Sequence, residues 1–249
     1  MDKKIKKQRQ EIKSLIERAE KLNIDYIQCY DNIFSSAECK KLIKKFNKFD
    51  LNKKTRPGKV GKSKLNLSFK ESRDIDLYKD AGKDYNDEDI DDMYISIHNK
   101  IGVCVYSYLM NVGVLGRHFI GVSMYNAKSI VPEDLIPEMP EYFIIQKMQL
   151  RKYKKNKGGY YMLHYDASGS LDRILAVIIY LNETKYGGET SFPILKREIE
   201  PKVGRVAIFP SYFTHLHYGK TSSSDKYVIC SHIVDDRITF KEKQERKEE

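Results

Sequence analysis

Apolar positions near the start of the chain recur with a helical rhythm, and those near its end alternate or cluster as in strands. Ile5, Ile12, Leu15, Ile16, Ala19 and Leu22 stand at near-helical spacing among Lys, Arg and Glu, which predicts a basic amphipathic helical extension over residues 1–25. IDYIQCYDNIF (24–34) reads as a strand. Ser35 and Glu38 then form a capping-box pattern that opens a helix with Cys39, Leu42, Ile43, Phe46 and Phe49 on one side. A further helix is expected from about Glu88 to Asn111, with acidic residues at the end where the helix dipole favours them. Between these helices, residues 50–92 are rich in Lys, Gly, Asp and Ser and turn acidic from Asp87 to Asp92. That composition predicts a long flexible loop.

From Pro140 onward the pattern becomes β. FIIQKMQLRKY (143–153) partly alternates, and ILAVIIYL (174–181) is a continuous apolar run, as in a strand buried on both faces. RVAIF and KYVIC follow, separated by GG, PKVG and FPS turn signals. Helices first and short strands second imply an α+β domain over residues 26–238. Its β core, about 143–236, closes as a sandwich or jelly roll behind N-terminal supporting helices. Residues 239–249 form a charged tail.

Composition narrows the setting. A 249-residue chain with 41% hydrophobic residues can bury a substantial core. No apolar run approaches the roughly 18 residues of a membrane span. The charged N-terminus lacks the apolar stretch of a secretory signal, which leads to the expectation of a cytoplasmic protein, cellular or virus-encoded. Cys29, Cys39, Cys104 and Cys230 are far apart and read as reduced thiols. The net charge of +10 comes from 45 basic residues interspersed with 35 acidic ones. That pattern favours a solvated surface over a nucleic-acid face.

Candidate chemistry concentrates in two short stretches. In YYMLHYD, His164 and Asp166 are two apart, so a strand would aim both at one point. In FPSYFTHLHYG, His215 and His217 offer a second histidine. Two histidines and one carboxylate on one side of a metal form the facial triad of non-haem iron(II) oxygenases, which leaves positions for an oxoacid and dioxygen. Zinc hydrolysis on the same set is the competing metal chemistry. Nine residues after His217, Lys226 opens an apolar strand, where its ammonium would need a carboxylate partner.

His164-x-Asp166, GGETSFP (187–193), PKVG (201–204), His217 and Lys226 together resemble prolyl 4-hydroxylase-like 2-oxoglutarate/iron(II) dioxygenases. The resemblance covers about residues 146–234 and extends more loosely to YDNIFSSAECKKLI. It implies a double-stranded β-helix in which His164, Asp166 and His217 bind Fe(II) and Lys226 pairs with the distal carboxylate of 2-oxoglutarate. It further implies Tyr153 and Thr190 as oxoacid contacts, Tyr161 and Arg173 as substrate contacts, and residues 50–92 as a substrate lid. Ascorbate is implied as the reductant that rescues oxidised iron. His217 is preferred to His215 because Tyr218-Gly219 fits the family's H-x-G variant. The sequence departs from the pattern in the His217–Lys226 step, which is one residue short. It also departs at His232, where a tryptophan is common. The implied reaction is hydroxylation of an unactivated C–H bond, first of all in a prolyl residue of a protein or peptide. An oxygenase acting on nucleic acid or a free amino acid, and a catalytically degenerate interaction domain, are the alternatives.

Overall fold

A computed structural model describes residues 25–59, 65–78, 81–85, 87, 89–113, 143–169 and 173–236. The helical extension expected over 1–25 lies, apart from its last residue, outside the described residues, and so does the tail at 239–249.

Strand β1 (Gln28–Tyr30) leads into helix α1 (Ser36–Leu51). The capping box is present: Glu38 N–H donates to Ser35 Oγ at 3.2 Å, and Ser35 N–H donates to Glu38 Oε2 at 2.8 Å. Helix α1 buries Cys39, Leu42, Phe46 and Phe49. Short strands β2 (Arg56–Pro57) and β3 (Lys70–Glu71), strand β4 (Arg73–Leu77) and helix α2 (Ala81–Tyr85) precede the long helix α3 (Asp89–Gly113). Nine strands follow: β5 (Phe143–Ile145), β6 (Met148–Tyr153), β7 (Gly159–His164), β8 (Arg173–Tyr180), β9 (Thr190–Phe192), β10 (Arg197–Ile199), β11 (Val206–Pro210), β12 (His217–Gly219) and β13 (Lys226–Asp235).

These strands build two antiparallel sheets. The major sheet runs β1-β11-β8-β13-β6-β4-β2, with β5 also on β13, and the minor sheet runs β10-β9-β12-β7-β3. They close on each other as a double-stranded β-helix, the jelly roll that the sequence predicts. Helices α1 and α3 cover the outer face of the major sheet. There Phe46, Phe49, Ile97 and Ile101 pack with Ile75, Leu150, Ile179 and Ile229 in one apolar cluster. A smaller cluster, with Tyr180, Phe192, Phe209 and Val228, lies on the inner side. No helix among the described residues is long and apolar enough to cross a membrane.

The structure departs from the expected loop at 50–92. The described part of 50–92 is not a long loop, because β4 pairs with β6 along its whole length, from Arg73↔Lys152 to Leu77↔Met148. Its sequence, RDIDL, alternates as a strand does, but the inward positions are Asp74 and Asp76. A strand with carboxylates on its inner face looks like a loop to any hydrophobicity pattern.

Candidate active site

The cavity between the sheets has a volume of about 770 Å³, within the roughly 300–1,000 Å³ range of small-molecule sites. Strand parity selects its lining. On β13 the pocket-facing residues are Lys226, Val228 and Cys230, followed by His232; on β7 they are Tyr160, Met162 and His164.

At one end three side chains converge. His164 and His217 are direct cross-strand partners in the β7–β12 ladder, a placement that brings side chains on one face close together. Asp166 opens the 3-10 turn that follows β7, rather than sitting on the strand itself. Its Oδ2 lies 3.6 Å from His217 Nε2, and its Oδ1 lies 4.0 Å from His164 Nε2. One donor atom from each of the three lies within 4.8 Å of the others, a geometry that suits a metal ion.

The backbone sets the tautomers. His164 Nδ1 faces the Met162 carbonyl at 2.8 Å and His217 Nδ1 faces the His215 carbonyl at 3.0 Å. A carbonyl only accepts, so each Nδ1 carries the hydrogen and each Nε2 presents a lone pair. Burial, with help from His217, pushes the His164 imidazole down to about 4, so it is neutral as a ligand must be. Burial would raise the Asp166 carboxyl, but His232, His217 and His164 outweigh it and hold the group well below its usual range. His215 points elsewhere, with Nε2 2.7 Å from the Asp25 carbonyl and Nδ1 2.9 Å from Thr214 Oγ1. The structure therefore brings His217, not His215, to the pair at 164 and 166.

Lys226 lies 4% exposed on the cavity wall and donates from Nζ to the Gly188 carbonyl at 2.8 Å. Gly188 has a φ of +84°, which favours glycine and turns that carbonyl toward the lysine. Tyr153 is the ladder partner of Lys226, and its ring centroid is 5.0 Å from Nζ. Thr190 Oγ1 lies 2.7 Å from Tyr180 Oη, and both residues line the cavity. The sequence does not single out Tyr180, which lies inside the apolar run 174–181 typical of a core strand. Burial pushes Lys226 down to about 8, against a smaller upward pull from Cys230 and Glu189.

Two substrate contacts implied by resemblance fare differently. Arg173 lines the cavity and donates to Gln146 Oε1 at 3.0 Å and to the Asp166 carbonyl at 3.2 Å. Tyr161 does not line it. Alternation on β7 turns its ring away from the cavity to pack at Gly159, and Tyr160 takes the pocket face, stacked on His164 at 3.8 Å between centroids. His232 places Nε2 3.2 Å from Asp166 Oδ1. It thus touches the carboxylate of the convergent set, a role its sequence position does not reveal.

Comparison with known proteins defines the class first. Residues 148–233 match the model of the 2OG-Fe(II) oxygenase superfamily. No curated protein matches the chain. Among solved structures, a prolyl hydroxylase from Trichoplax adhaerens, in complex with a hypoxia inducible factor oxygen degradation domain peptide fragment, has a TM-score of 0.60 at 14% identity. That match covers 95% of each chain. A viral collagen prolyl hydroxylase from Paramecium Bursaria Chlorella virus-1 has a TM-score of 0.51 at 21% identity, covering 84% of this chain and 95% of its own. A Pseudomonas putida prolyl-4-hydroxylase has a TM-score of 0.54 at 12% identity, covering 88% and 98%. The fold is that of prolyl 4-hydroxylases. The matched segment is similar to 2-oxoglutarate-dependent dioxygenases, a class that uses Fe(II) and 2-oxoglutarate, and its His164, Asp166 and His217 could hold a metal ion.

Proposed function

We propose that this enzyme hydroxylates a prolyl residue in a protein or peptide, with His164, Asp166 and His217 as the iron ligands. The observation that carries this reading is one cavity with two chemically different ends. One end holds two Nε2 lone pairs and a carboxylate within 4.8 Å. The other holds the buried ammonium of Lys226, flanked by Tyr153, Thr190 and Tyr180. Lys226 would receive the distal carboxylate of 2-oxoglutarate, and Tyr153, Thr190 and Tyr180 would orient it. When bound, iron(II) and 2-oxoglutarate would supply the means to use dioxygen as oxidant, one oxygen atom entering the C–H bond as C–OH and the other ending in the succinate formed as 2-oxoglutarate loses carbon dioxide.

The chain's own contribution is placement and exclusion of water. Backbone carbonyls at Met162 and His215 fix both imidazoles with Nε2 inward. His232 occupies Asp166 Oδ1, which leaves Oδ2 on the side of His217. Arg173 and Tyr160, at the triad end of the cavity, would contact the target residue. A prolyl peptide is the favoured substrate because three structures sharing the fold are prolyl hydroxylases and one holds a peptide. Ascorbate would restore iron oxidised in turnovers without substrate.

Succinate release against proline-containing peptide pools, followed by mass mapping of a product heavier by one oxygen atom, tests the reading. Oxygen incorporation at proline is expected. Robust turnover on free amino acids or nucleic acid, with none on any peptide, would replace the proposed substrate class.

A further inference from the structure

A second group of buried charges in the cavity has no part in the reading above. Lys70 is 1% exposed and donates from Nζ to Asp74 Oδ2 at 3.1 Å. Asp74, fully buried, also accepts from Ser72 Oγ at 2.7 Å. Arg151 Nε lies 3.4 Å from the same Asp74 Oδ2 but makes no hydrogen bond among the described residues, and the guanidinium otherwise donates to Gln149 Oε1 and to the Tyr153 hydroxyl. Two cations thus share one carboxylate, and the cluster carries one surplus positive charge. Such a surplus is costly where water is scarce. The space around Lys70 is reserved for it: a side chain at Gly58 would strike Ser72 Oγ at 2.0 Å and Lys70 Cε at 2.9 Å.

The register locates the cluster. Arg151 is opposite Asp74 on β4 and Val228 on β13, whereas Tyr153 is opposite Lys226. Arg151 therefore stands two residues, or about 7 Å, along β6 from the Lys226 end. Lys70 Nζ lies 5.7 Å from the Tyr160 ring, which stacks on His164. The surplus charge faces the cavity between the lysine end and the histidine end. Lys70 resembles Lys226 in another respect, since burial, with Arg151 beside it, pushes it down to about 8.

We propose that Lys70 and Arg151, fixed by Asp74, form a second carboxylate-binding subsite of this cavity, distinct from the Lys226 end. A carboxylate matches because its single charge balances the single surplus, and a planar guanidinium edge suits it. A phosphate dianion would overshoot. The carboxylate has two sources, the keto-acid end of the cosubstrate or the molecule being oxidised. The proposal rests on assigning the Lys226 end to 2-oxoglutarate.

Calorimetry on the zinc-loaded protein, which binds without turnover, separates the sources. Arg151→Met, Lys70→Met, Arg151→Lys and Lys226→Met are titrated with 2-oxoglutarate. The same proteins, saturated with 2-oxoglutarate, are titrated with N-acetylglutamate and with N-acetylglutamine as its neutral control. If the subsite takes the cosubstrate, R151M and K70M raise the 2-oxoglutarate dissociation constant about tenfold or more, and R151K raises it less. If it takes the substrate, 2-oxoglutarate binding is unchanged and selective binding of N-acetylglutamate is lost in R151M and K70M. Both arms unaffected by R151M and K70M would overturn the subsite while K226M still loses 2-oxoglutarate. A wild type that binds neither probe overturns the subsite and the Lys226 assignment together. Thermal midpoints exclude a purely structural role. R151M leaves a balanced Lys70–Asp74 pair, so its midpoint should hold or rise, whereas a merely structural arginine would lower it.

Discussion

Strands β4, β6, β8 and β13 turn Ile75, Leu77, Met148, Leu150, Val177, Ile179 and Ile229 toward the helices. The same strands turn Asp76, Gln149, Arg151, Lys226, Cys230 and His232 toward the cavity, and Asp74 lies buried among the cations there. Adjacent side chains on one strand therefore serve opposite ends. The outer face gains stability from apolar burial. The inner face gives some of it up to keep charges where ligands can meet them. Mutations on the two faces should consequently fail in different ways.

The largest contrast is between triad and core. His164→Ala or Asp166→Ala should reduce 2-oxoglutarate turnover by at least about a thousandfold, with a thermal midpoint within a few degrees of wild type. Substantial turnover in either variant would remove that residue from the metal site. Within β4 the faces can be compared one residue apart. Asp74→Asn strands two buried cations and should destabilise by about 3–5 kcal/mol. Ile75→Ala leaves a cavity against the helices and should lose about 3 kcal/mol while keeping cosubstrate affinity. Chemical denaturation with a parallel binding titration distinguishes them, and equal loss of binding in both would erase the distinction between faces.

Lys226 carries a pH signature. Its folded-state value of about 8 is below the ordinary 10.5, so the unfolded chain holds the extra proton between those limits. The penalty for burying the ammonium is fully present below pH 8 and is relieved as pH rises toward 10.5. Wild type should therefore gain stability relative to Lys226→Met across that window. Affinity for 2-oxoglutarate should fall over the same interval, by up to about tenfold per pH unit, because the neutral amine cannot pair with it. A flat profile would place Lys226 outside the binding site. The smallest effect is expected at His232. Its contact with Asp166 Oδ1 orients the carboxylate, so His232→Phe should weaken metal binding about tenfold, measured by competition with a chromogenic chelator.

Much of this was readable along the chain. The capping box at Ser35 and Glu38, the long helix near 88–111 and the apolar strand at 174–181 follow from local spacing, and the structure contains each of them. The ordered run from His164 to Lys226 pointed to the oxygenase class, because short-range parity and motif order survive in any linear reading. Other features did not survive. Strand β4 was hidden because its inner face is acidic. The resemblance points to Tyr161 while Tyr160 takes the pocket face, because a motif offset does not report which face a strand turns inward.

Local rules, then, were enough for the helices and the β-rich second half, since each depends on residues within a few positions of one another, while the kind of metal chemistry followed from the order of motifs between His164 and Lys226. The meeting of Lys70, Asp74 and Arg151, the turning away of His215 and the contact of His232 with Asp166 came from the closing of two sheets. They depend on which strands become neighbours and in what register, and pairing across a hundred residues leaves no periodic trace in the chain.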